Sequence, residues 1–254
     1  MIRALDQLLR GKYTEPGTLG QGQIPLPVGT LILGCLVLGA VYGAAMGLFS
    51  ALLTDGSAGW AQVGASAVKV PLLFLSTLTV TFPSLYVVSA LARSRLGASD
   101  TLKLLLVAIA VNMALLASLA PVTAFFTLSS DSYPFMILLN VSLFAISGLV
   151  GLGFLLRALE PIIGAPPPLP PKVTDSNEPK EVTTSPEFHH RQRQGSSRTV
   201  FRAWALIYGI VGSQMGWILR PFIGDPALPF SWFRDRESHV LGGILNAVET
   251  LTGG

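Results

Sequence analysis

The sequence predicts an all-α fold: a polytopic transmembrane helix bundle of four spans plus a fifth, shorter one, preceded by an amphipathic N-terminal helix. Three observations predict it. Val28–Leu53, Val70–Ala92, Leu104–Ser130 and Tyr133–Leu156 are apolar runs without one charged residue. Each exceeds the ~20 residues that, at ~1.5 Å per residue, cover the ~30 Å hydrocarbon core of a bilayer. Half of the 254 residues are hydrophobic and only 12% are charged, with a mean hydropathy of +0.58. A soluble domain carries about a quarter charged residues. The runs also lack the polar/apolar alternation of a membrane β-barrel, so they read as helices.

Residues 1–27 form the first segment. Met1–Lys12 sets Ile2, Leu5, Leu8 and Leu9 against Arg3, Asp6, Arg10 and Lys12, the spacing of a short helix lying in the headgroup layer. It has neither the continuous apolar core nor the small-residue cleavage site of a secretory signal. Glu15–Pro27, rich in Pro, Gly and Gln, reads as an extended loop, and the first span follows as an uncleaved anchor.

Residues 28–159 are then a four-span bundle. Residues 160–199, with Pro166–Pro168, Pro170, Pro171, Pro179 and Pro186 among Ser, Thr, Glu and Lys, bury too little apolar surface to offset the entropy of ordering and are expected to be a disordered linker. His189 and His190 fall there without a carboxylate or thiol of metal-site spacing, so no metal is expected. Residues 200–224 are the fifth segment. Its uninterrupted centre, Ala203–Leu219, is short for spanning and is bracketed by Arg202 and Arg220. A transmembrane helix and an interfacial helix both fit it. Residues 225–254 are expected to be an aromatic loop, with Phe230, Trp232 and Phe233, and a C-terminal amphipathic helix.

Lys and Arg alternate between loops. Arg3, Arg10 and Lys12, then Arg93, Arg95 and Lys103, then Arg157, Lys172, Lys180, Arg191, Arg193 and Arg198 lie on one side, whereas Thr54–Ser66 has no base. The positive-inside rule therefore puts the N-terminus in the cytoplasm of a multi-pass protein of the cell membrane, expected to be a bacterial inner membrane. The net charge of +3 is dispersed between spans, which points to anionic lipid on the cytoplasmic face and away from nucleic acid.

Small residues mark a packing face. Cys35, Gly39, Gly43, Gly47 and Ala51 recur every fourth residue in the first span, and Gly212 and Gly216 begin a similar row in the fifth. This spacing lets a neighbouring backbone approach, where lipid supplies no hydrophobic drive for association. The neighbour is either another span or a second copy. Cys35, the only cysteine, excludes an internal disulfide. Asn112, Asn140 and Gln214 are intramembrane amides, each expected to face the bundle and bond a neighbouring helix. Lys69, Arg202, Trp217, Arg220 and Trp232 are expected to anchor span ends at the interface. Pro83 interrupts the second span, where Thr81 or Ser84 is expected to satisfy freed backbone groups.

The chain holds no G-x-S-x-G, H-E-x-x-H, Walker or dinucleotide motif, and no Asp, Glu or His lies within a span. Neither an enzyme nor a cofactor is expected. Lys69–Ser89, Leu139–Gly153 and the Gly-rich first span resemble the bacterial branch of the Yip-domain membrane proteins, over residues 30–159. The acidic–aromatic–Gly–Pro signature of the eukaryotic members is not matched; Asp131-Ser132-Tyr133-Pro134 shares part of it. The resemblance implies a non-enzymatic protein of membrane organisation or partner recruitment. Two function classes follow: a structural or adaptor subunit, self-associating or joined to another membrane protein, and a transporter or channel component with a polar path near Asn112, Asn140 and Gln214.

Overall fold

The computed structural model describes residues 28–54, 56–91, 98–163, 187–225, 228–233 and 240–252. The expected N-terminal amphipathic helix, the basic residues Arg93 and Arg95, the Pro-rich part of the linker and the side chain of Arg202 lie outside the described residues. Six helices occur among those described: α1 (Val28–Leu53), α2 (Ser57–Leu91), α3 (Ala98–Ser129), α4 (Tyr133–Ile163), α5 (Glu187–Ile218) and α6 (Val240–Thr252). No strand occurs among them. Four helices are long and apolar enough to cross a membrane: Val28–Leu53, Ser57–Val87, Ala98–Ser129 and Tyr133–Ala158.

Three of the helix starts have a local cause. Gly56, at φ +88°, turns the chain from α1 into α2 through backbone space that L side chains rarely enter. Asp100 lies in the first turn of α3, where its charge complements the helix dipole, and bonds Lys103 at 3.3 Å. Pro134 sits in the first turn of α4, where its missing N–H costs nothing. Pro71, Pro83 and Pro121 lie within helices. Around Pro83, Thr81 and Ser84 donate to the carbonyls of Thr77 and Thr81, not to that of Thr79, the acceptor the proline leaves without its usual donor.

Three boundaries differ from the sequence reading. The second span begins at Ser57, thirteen residues before Val70, because Ser57–Lys69 continues the helix although it holds Gln62, Ser66 and Lys69. The linker is not irregular throughout: Glu187–Thr199 belongs to α5. The fifth helix ends at Ile218, and Leu219–Asp225 continues as irregular backbone. From Ala203 the helix covers about 24 Å, short of a hydrocarbon core.

α1 packs between α2 and α3; α4 lies on α3, α5 on α2, and α6 on α4 and α5. The glycine face of α1 meets α2 of the same chain. A Cβ on Gly43 would come 2.2 Å from the Ser66 carbonyl oxygen, one on Gly47 would come 2.6 Å from Val63 Cα, and one on Gly59 would come 2.7 Å from Ala51 Cα. A Cβ on Gly39 would come 3.1 Å from both Pro71 Cβ and Met113 Sδ. Backbones this close leave no room for side chains, so dispersion and Cα–H···O contacts hold the hairpin. Phe144 joins it to α4, with its ring 5.5 Å from Tyr42 and 6.0 Å from Phe74. A second cluster, with Leu85, Leu104, Leu155 and Trp204, closes the other end. There Trp204 Nε1 donates to Ser84 Oγ at 2.9 Å.

Gly43→Ala therefore lowers stability in mild detergent by about 2 kcal/mol or more, since the Cβ meets rigid backbone. Gly64→Ala, whose Cβ meets nothing within 4 Å, leaves the thermal midpoint unchanged or raises it slightly.

Candidate functional site

Gln62, Ser66 and Lys69 stand at i, i+4 and i+7 on α2 and so share one face. All three are buried, Gln62 to 2% exposure and Lys69 to 1%. They face the irregular segment that follows α5. Such backbone leaves carbonyls without helical donors, and in an apolar surrounding each unpaired group is costly. The α2 face supplies the donors. Gln62 Nε2 donates to the carbonyls of Pro221 at 3.1 Å and Phe222 at 3.0 Å, and Ser66 Oγ also donates to Phe222. Lys69 Nζ donates to the carbonyls of Pro221 at 2.9 Å and Trp232 at 2.5 Å. The rings of Trp232 and Phe233 lie 5.8 and 5.5 Å from the ammonium. Among the described residues no carboxylate pairs with it. The positive charge is held by carbonyl dipoles and ring faces.

Lys69 thus binds backbone of its own chain, where the sequence reading set it at a span end. It lies about 18 Å from the start of α2, at ~1.5 Å per residue. The α1–α2 register, with Gly39 against Pro71 and Gly43 against Ser66, sets it level with the middle of α1. A side chain there reaches backbone of its own chain more readily than either water layer. The apolar half of the same loop fills the core. Leu219 and Ile223 are buried, Phe222 lies 6.3 Å from Phe144, and a Cβ on Gly224 would come 2.5 Å from Ser50 Oγ.

The remaining sequence-predicted residues divide. Asn112 is buried and accepts from Ser147 of α4 through its backbone and side-chain oxygens. Asn140 is buried and accepts from the Tyr42 hydroxyl of α1 at 2.8 Å, while its Nδ2 donates to the Met136 carbonyl. Gln214 departs from expectation: it is exposed on the outer side of α5. The three amides therefore do not converge. Cys35 is buried in the α1 face. Gly212 and Gly216 face α2: a Cβ on each would lie at ordinary contact distance, 3.8 Å from Thr77 and 3.5 Å from Leu73. The guanidinium carbon of Arg220 sits 4.0 Å from the centre of the Trp217 ring, and a Cβ on Gly243 of α6 would come 2.5 Å from that ring. Trp217 is therefore packed between α6 and Arg220. The Trp232 side chain is exposed while its carbonyl binds Lys69.

Sequence reasoning missed Gln62, Ser66 and Tyr42. The signal for the first two was present as polar residues four and three apart leading to Lys69; placing the span boundary at Val70 hid it. Among the described residues no three His, Cys, Asp or Glu side chains gather as metal ligands. Chemically, the arrangement binds backbone carbonyl oxygen. Comparisons with family models, curated proteins and solved structures return no match.

Two substitutions test the site. Lys69→Met keeps the aliphatic stem but strands the Trp232 carbonyl, while Pro221 keeps Gln62 as donor; it lowers stability by about 1–3 kcal/mol and makes the loop after α5 cleavable by protease in detergent. Tyr42→Phe removes one buried bond to Asn140 and costs about 1 kcal/mol in the same thermal assay, without exposing the loop.

Proposed function

We propose that this is a non-enzymatic, multi-pass membrane protein acting as a structural or adaptor subunit, which organises membrane or recruits partners through helix packing. The N-terminus is cytoplasmic, and α5 with Leu219–Asp225 forms a broken fifth crossing alongside α2. The single observation that carries the reading is that no solute-sized cavity opens among the described residues of the bundle. Gln62, Ser66, Lys69, Asn112 and Asn140 are bonded to the loop or to neighbouring helices, and the cavity at Asn112, lined also by Tyr208, measures ≈ 10 Å³. That is room for about one water and for no solute. The pairing of Asn112 with Ser147 and of Asn140 with Tyr42 supports amides that hold helices together in place of lining a path. The reading rests on this packing and not on the Yip-like resemblance.

Reconstitution tests it. Vesicles containing the full chain are expected to remain as tight to ions and small polar solutes as protein-free vesicles, while a membrane protein partner co-purifies in fixed ratio. Protein-dependent flux that Asn112→Leu abolishes would replace the adaptor by a transporter.

A further inference from the structure

α5 has two unlike faces. Trp204 and Ala205 are buried, and Gly212 and Gly216 look towards α2. On the other side Leu206, Ile210, Gln214 and Ile218, spaced four apart, are all exposed, Leu206 to 71% and Ile210 to 60%. A Cβ on Gly209 beside this row would meet nothing within 4 Å. The leucine and isoleucines suit lipid; the amide does not.

The depth of Gln214 follows from the pairing of α5 with α2. Trp204 bonds Ser84 and Gly216 faces Leu73, so the helices run antiparallel and Gln214 lies level with Leu73–Thr77. That level is near the middle of the Ser57–Val87 span, too deep for a glutamine to reach either water layer. Hydrocarbon offers the amide neither donor nor acceptor.

We propose that this row is a self-association surface, on which α5 of a second copy of the same chain docks and Gln214 pairs with its counterpart. The argument for a second copy is complementarity. A side-chain amide carries one acceptor and two donor hydrogens, so two of them satisfy each other reciprocally. Copies inserted with the same orientation are related by a two-fold axis along the membrane normal, which brings like residues together at the same depth. The open space at Gly209 lets the helices approach. The inference rests on α5 lying in the bilayer, as proposed above.

The test uses the full chain in sealed vesicles, with Cys35→Ala removing the native thiol. Ile210→Cys is expected to form a disulfide-linked dimer on copper-catalysed oxidation, and Ala205→Cys on the buried face is not. Adding Gln214→Leu to Ile210→Cys is expected to lower the cross-linked fraction about threefold or more while leaving the thermal midpoint unchanged or raised. An Ile210→Cys chain that stays monomeric and resists a membrane-impermeant maleimide would overturn self-association and leave the membrane reading standing. Labelling of Ile210→Cys by that maleimide would overturn both. Cross-linking unaffected by Gln214→Leu, or directed to a different protein in native membranes, would overturn the pairing.

Discussion

Backbone meets backbone along the α1–α2 hairpin, and the other contacts take their positions from it. Apolar side chains gain nothing by leaving lipid for one another, so a bundle in a bilayer is held by contact at short range and by hydrogen bonds. Gly43 against Ser66 and Gly47 against Val63 supply that contact where even a methyl group would not fit. Their register turns Tyr42 towards Asn140 and Phe144 on α4. The same register brings the polar face of α2 to the side where the chain returns after α5.

That return explains the buried lysine. An ammonium in the middle of an apolar helix is unfavourable alone, and so is irregular backbone at the same depth. Each relieves the other: Lys69, with Gln62 and Ser66, donates to carbonyls that α5 no longer satisfies. Because backbone oxygens bring dipoles and no full charge, the site stays net positive, and the Trp232 and Phe233 rings complete its surround. The arrangement ties residues more than 150 apart in sequence and fixes the C-terminal region to the hairpin.

A bundle whose polar side chains face inward to each other has few left with which to move a solute. Asn112 and Asn140 each bridge a pair of helices, so they act as interhelical ties. The outer surface keeps the exposed amide of α5 and the aromatic loop that Lys69 holds in place. On the adaptor reading proposed above, these are the surfaces left for association.

The all-α class and four membrane-length helices were readable from the sequence because hydrophobic length is a local property, summed along the chain without knowledge of neighbours. The small-residue face of α1 was equally visible, since four-residue spacing fixes which side chains share a face. Its partner was not visible; only the folded hairpin selects α2. Lys69 shows the limit most clearly. Read alone it marks a span end, because a lone charge in an apolar run is costly, and the compensating carbonyls of Pro221 and Trp232 are remote in sequence. Gln214 errs in the opposite direction: its type implied an inward face, but helix rotation is set by how Gly212 and Gly216 seat on α2. Hydropathy determines which segments are apolar helices; only tertiary packing decides where each polar atom among them finds its partner, since that energy depends on distance through space and not along the chain.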